Sequence, residues 1–215
     1  MSLVSPVFEQ HYKEYIDQLG GLDFKVLGPE VGGRVTTTDS RGPGLEISYF
    51  NRPYRVSPAG ITDGEGRKPG YDTCIILCRY LLMAGDWAGK ALVADDRAHW
   101  AGFRDLKDSG PLTVYFKNNV EVAIAKILAG RLPVPPQSLD SLNPSPPDME
   151  LQYDLALKVH ALPRVPMLVL INDEDDGFPS SCSVLFQSKV ETYLDAECIG
   201  MAGYRLAEII RKFFP

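Results

Sequence analysis

Four acids run consecutively, Asp173-Glu174-Asp175-Asp176. Carboxylate oxygens are what hard cations prefer, so a Mg²⁺ or Ca²⁺ site is the first chemistry the sequence suggests. A helix–loop–helix calcium loop does not fit. Taking Asn172 as the first ligand puts Gly177 at the glycine position, but Ser183 falls where a bidentate Glu is required. Adjacent side chains in an extended chain also point to opposite sides. The run therefore reads as a polar turn, with Asp175 and Asp176 as candidate site residues and Arg164 or Arg104 as electrostatic helper.

Thiols are the second candidate. Cys74 and Cys78 are four residues apart, which places them on one helix face. With Cys182 and Cys198 they form a set of four that suits Zn²⁺ or an iron–sulfur cluster. Neither pair has the spacing of two residues between cysteines that marks such sites, and residues 74–82 are apolar on nearly every side. Buried cysteine as a small hydrophobe is the competing reading.

The histidines, 11, 99 and 160, show no metal-binding spacing. His160 with Cys182 or a neighbouring Ser would make a nucleophile–base pair, yet no nucleophile-elbow motif accompanies them. The loop 64–70 precedes a helix start and would attract an anion. It matches neither a phosphate-binding loop nor a dinucleotide fingerprint, and Asp72 already supplies negative charge there.

These residues need elements to hold them. Ser5 and Pro6 open a helix carrying Tyr12, Ile16 and Leu19 at helical spacing. Short β-prone runs follow at 22–27, 34–38, 45–50 and 54–57, broken by Gly, Pro and Asn, as in an antiparallel meander. Residues 58–70 read as a loop. A buried helix should run from Asp72 to about Met83, and another over 112–128 with 120–128 its firmest part. Six prolines between 131 and 149 (133, 135, 136, 144, 146 and 147) predict an extended connector. Alternation over 151–159 predicts a half-buried strand. Residues 160–164 then turn, and 165–171 form a central strand. Ser188 and Glu191 have capping-box spacing. A final helix carries Ile199, Ala202, Leu206, Ile209 and Phe213 on one stripe. The expected fold is α+β, a mainly antiparallel sheet packed by several helices, with residues 1–215 as one domain.

Composition bounds the rest. Hydrophobic residues at 45% and charged residues at 23% are ordinary for a globular chain, which excludes disorder. The 19 Gly and 17 Pro exceed the roughly 26 expected from average usage, so loops are well developed. A net charge of −6, with Arg67-Lys68 as the densest basic cluster, argues against a nucleic-acid partner. No apolar run is long enough to span a bilayer, so no membrane partner is expected. The N-terminus lacks the pattern of a secretory signal. A cytoplasmic protein with reduced cysteines is the expectation.

Several segments together resemble a family. They are Tyr80-Leu81-Leu82, Trp100, Phe103-Arg104-Asp105-Leu106, Leu162-Pro163-Arg164-Val165-Pro166, Asp175-Asp176-Gly177-Phe178-Pro179, Val184-Leu185-Phe186, and Tyr193-Leu194 with Glu197. In order and spacing they resemble an uncharacterised bacterial and archaeal family, domain-of-unknown-function family 3786. The resemblance implies a soluble protein of anaerobes, in a family where some members are joined to an iron–sulfur domain of the corrinoid-protein kind. It assigns no activity or catalytic residue.

Two functions are expected from this. One is a non-catalytic binding or accessory protein, serving an iron–sulfur or corrinoid partner. The alternative is a cation-dependent hydrolase or transferase using the turn 173–176. The cofactors these imply are an iron–sulfur cluster or a divalent cation.

Overall fold

A computed structural model describes residues 6–36, 42–87, 99–134, 136–175 and 177–214. The fold is α+β, with two antiparallel four-stranded sheets. The first sheet is a meander of β1 (Arg34–Thr36), β2 (Gly44–Tyr49), β3 (Arg52–Ser57) and β4 (Gly60–Asp63). The second has the order β5-β8-β7-β6, from β5 (Trp100–Gly102), β6 (Leu155–Leu162), β7 (Val165–Asn172) and β8 (Ser181–Gln187). Around them lie α1 (Pro6–Leu19), α2 (Phe24–Val31), α3 (Tyr71–Trp87), α4 (Thr113–Phe116), α5 (Val122–Leu128) and α6 (Ala196–Phe213).

Two elements carry most of the core. Seven consecutive residues of β7 are buried, because both neighbouring strands and both faces are covered. Helix α3 buries Cys74, Ile76, Leu77, Cys78, Tyr80 and Leu81 completely. It packs on α1, α2 and α6, which is why its sequence is apolar almost all round. One apolar cluster joins α3 to both sheets. No helix among the described residues is long and apolar enough to cross a membrane.

The run 22–27 is helical, not a strand. Asp23 accepts the Lys25 N–H at 2.9 Å to start α2, and Gly32 ends it in the left-handed region at φ 66°. Its last carbonyls are met from a distance. Arg164 Nε and Nη2 donate to Glu30 and Pro29 at 3.0 Å each, and the Tyr80 hydroxyl donates to Val31 at 2.8 Å.

Part of the expected loop 58–70 is β4, paired with β3 from Ser57↔Gly60 to Tyr54↔Asp63. Strand β6 begins at Leu155 and continues through His160 to Leu162, so the turn is confined to Pro163-Arg164. Tyr153, expected inside, is exposed. The Pro-rich segment is not extended throughout. Residues Pro136–Leu142 form a 3-10 helix that buries Leu139 and Leu142. Further on, Ser145 exchanges two backbone hydrogen bonds with Lys158 of β6, at 2.9 and 2.8 Å. The helix over 113–128 is interrupted by a π-helical turn at Lys117–Glu121. Ser188 caps nothing. The Glu191 carboxylate accepts instead from the backbone N–H of Lys107, and Ser188–Thr192 is a 3-10 helix.

The two sheets meet at a hairpin tip. Phe50 and Asn51 have φ of 45° and 58°, the signature of a type I′ turn. A bulky residue at positive φ is strained. Phe50 is held by burial and by its N–H, which donates to Ala161 of β6 at 2.8 Å.

Candidate functional site

One polar cleft has a volume of about 290 Å³. It lies between the end of the first sheet, the start of α3 and the middle of α6. Tyr49 and Tyr54 form its inner wall. On β2 the inward positions are Leu45, Ile47 and Tyr49, and on β3 they are Tyr54 and Val56. Each tyrosine therefore ends an apolar row, with its ring in the core and its hydroxyl at the margin. The two rings are 6.4 Å apart and tilted by 55°.

The opposite wall is one face of α6. Met201, Tyr204, Arg205 and Glu208 follow the i, i+3, i+4, i+7 pattern of a helix face. Arg205 and Glu208 pair at 3.0 Å. The floor is the first turn of α3, with Asp72 and Thr73. The Cys74 N–H closes the first turn of α3 on the Gly70 carbonyl at 3.1 Å, so earlier amides lie outside the helical ladder.

Tyr49 is 3% and Tyr54 8% exposed. Their hydroxyls make no hydrogen bond with any described residue and are not among the fully enclosed atoms, so they open on the cleft. Burial raises the Tyr49 pKa, with Arg205 opposing and Asp72 adding to the rise, and the hydroxyl stays protonated. At the rim, Asp63 accepts the backbone N–H groups of Glu65 and Arg67 at 2.9 Å each. Those bonds, the Arg67 one foremost, hold its carboxyl below the usual range.

The residues singled out by type and spacing are dispersed. Arg164 sits at the β6–β7 turn, capping α2. Asp175 lies past the other end of β7, in a turn closed by paired backbone bonds with Phe178. Eight strand residues put about 25 Å between those ends, so Arg164 does not serve the acidic turn. Asp173 is structural. Its carboxylate accepts from Gly130 at 2.8 Å and Glu174 at 2.9 Å, which lowers its pKa and ties the chain leaving α5. Asp176 lies outside the described residues.

Arg104 faces Asp105 at 3.5 Å and lines a second cleft of about 490 Å³ with Lys117, Glu121 and Ser183. Glu121 is committed there to Lys117 and to the Val184 N–H. Loop 64–70 has both cations engaged, Arg67 by Asp63 and Glu65, Lys68 by Glu9 and the Tyr12 ring.

All four cysteines are free and buried. Cys74 and Cys78 share α3, Cys182 is on β8, and Cys198 is in the first turn of α6. Among the described residues no group of three or more His, Cys, Asp or Glu is placed to hold a metal ion. His160 faces Pro166 across the β6–β7 ladder, and Cys182 faces Ile171 across β7–β8. Five residues of β7 separate them, roughly 17 Å, so they form no dyad.

Burial pushes the Cys74 thiol to about 11 and Cys78 to about 12, and raises Cys182 and Cys198 as well. The thiolate is the reactive form. The native protein should therefore show no fast reaction with a disulfide reagent at pH 8, and all four thiols should react after denaturation. A thiol that reacts at once in the native state would contradict this placement.

Pro69, Gly70 and Asp72 belong to the loop and helix start considered for an anion, and the other cleft residues carried no motif. The signal available was the polar face 201/204/205/208, beside the apolar stripe of the same helix.

A family model described as "Domain of unknown function (DUF3786)" matches residues 23–209. That span contains every cleft residue named above. No curated protein and no solved structure matches the chain.

Proposed function

The chain belongs to the DUF3786 family, and from that premise we propose a non-catalytic binding or accessory protein whose working surface is the tyrosine-lined cleft. One observation carries the reading. Two tyrosines, each more than nine-tenths buried, turn unpaired hydroxyls into a concave site. Both hydroxyls are open to water, and a ligand entering the cleft would displace that water and offer hydrogen bonds in its place. Concave sites with few, converging polar groups are where small molecules bind.

The cation-dependent hydrolase has less behind it. Asp173 is occupied with backbone N–H groups and Arg164 with the carbonyls of α2. Cluster binding by the cysteines draws no support from their placement on α3, β8 and α6, where no three potential ligands group among the described residues.

Amide NMR of the full chain against a library of small polar fragments separates the readings. Hits should shift Tyr49, Tyr54, Thr73 and Tyr204 together. Mg²⁺, Ca²⁺ and Mn²⁺ should leave residues 173–175 unmoved. A saturable metal-induced shift there, lost in Asp175→Ala or Asp176→Ala, would transfer the function to the acidic turn.

A further inference from the structure

The charges around the cleft decide what it accepts. Three carboxylates and one guanidinium line it, those of Asp63, Asp72, Glu208 and Arg205. Glu208 is paired with Arg205, and Asp63 with the Arg67 guanidinium at 3.3 Å. Asp72 has no hydrogen bond or ion pair with any described residue.

Asp72 stands in the first turn of α3. Its charge already complements the positive end of that helix, so the helix start does not call for a second anion. The net field on the cleft is negative. The hydroxyls of Tyr49, Tyr54, Thr73 and Tyr204, which bond no described residue, and the unpaired Asp72 carboxylate offer oxygen acceptors to whatever enters. The Tyr204 side chain and the Met201 thioether supply the rest of the wall.

We infer that the cleft binds a primary ammonium group on a small apolar body, with Asp72 as its counter-ion and the Tyr49 and Tyr54 hydroxyls as acceptors. The inference rests on the cleft being the working surface. An ammonium group carries three donors and no acceptor, which suits a wall of hydroxyl and carboxylate oxygens. A carboxylate would have to face Asp72 and lie beside an Arg205 already held by Glu208.

The test is a titration of the full chain with n-butylammonium, n-butyrate and n-butanol, followed by amide NMR. These probes differ chiefly in their polar head. Butylammonium should give saturable shifts at Tyr49, Tyr54, Asp72 and Tyr204, and butyrate none. Asp72→Asn should weaken butylammonium binding about tenfold, the scale of one charge-assisted hydrogen bond. It should lower the thermal midpoint by no more than about 4 °C, the scale of losing an exposed charge at a helix start. Tyr49→Phe should weaken binding too.

Butyrate or butanol binding as tightly as butylammonium would overturn the ammonium assignment and leave the cleft standing as a site. Butylammonium binding unaffected by Asp72→Asn would do the same. No shift at these residues from any probe would also overturn it, and the fragment screen would then judge the cleft by itself.

Discussion

Asp195→Ala lowers the unfolding free energy by about 1–3 kcal/mol, the sum of a lost helix cap and a partly exposed ion pair. Asp195 precedes α6 and divides its two oxygens. Oδ1 accepts the Cys198 N–H at 2.9 Å, which starts the helix. Oδ2 accepts Nε and Nη2 of Arg79 at 2.9 and 2.7 Å, which fixes α6 against α3. One side chain thus both caps a helix and docks it. At about 2–4 °C per kcal/mol for a chain of this size, the midpoint should fall by roughly 2–12 °C.

The pH dependence has a definite sign. Burial alone would raise the Asp195 carboxyl, but the Cys198 N–H and the Arg79 guanidinium outweigh it and hold the pKa below 3.8. Stability from a lowered carboxyl is complete above its unfolded pKa and is lost as pH falls through the folded one. The gap between wild type and Asp195→Ala should therefore be full at neutral pH and close below about pH 4. A gap that persists unchanged into acid would place the effect elsewhere than this carboxylate. Arg79→Met should cost less, because it leaves the cap in place.

Gly203→Ala should destabilise the protein by about 1–3 kcal/mol, the usual cost of overpacking. Helix propensity alone predicts the reverse, a gain of about 1 kcal/mol for this change inside a helix. The structure decides the sign. A Cβ on Gly203 would overlap Cε2 of Phe116 and lie 3.0 Å from its Cζ. Phe116 cannot move aside. It stacks on Phe103 at 4.2 Å and 2°, and meets Phe186 edge-on at 6.0 Å. Chemical denaturation would measure the change. In a Phe116→Leu background the same substitution should become neutral or stabilising. An unconditional gain in the wild type would show that the aromatic stack yields freely.

The elements legible in the sequence were those whose period is long and uninterrupted. Helices α1, α3 and α6 and strand β7 each repeat one pattern over seven residues or more. Residues 22–27 misled because a short apolar run does not separate strand from helix. The deciding signals, Asp23 before and Gly32 after, lay just outside it. Strand β8 was missed although Cys182, Val184 and Phe186 alternate inward. The apparent capping box at Ser188 failed for a reason no local pattern holds, since Glu191 bonds a backbone N–H 84 positions away. The cleft was illegible for the same kind of reason. Its walls come from β2, β3, α3 and α6, and only tertiary packing brings Tyr49 to Arg205.

The proline-rich segment is more than a connection. β6 is the outer strand of its sheet and borders β7, the most continuously apolar stretch in the chain. A bare edge there would be a template for another molecule's strand. Ser145 occupies that edge at Lys158, and the Phe50 hairpin tip occupies it at Ala161. Pro144 and Pro146, on either side of Ser145, have no N–H to offer an incoming chain. The segment ends the sheet at β6, and because it also buries Leu139 and Leu142, losing it would open that edge to intermolecular strand addition and thin the core at once.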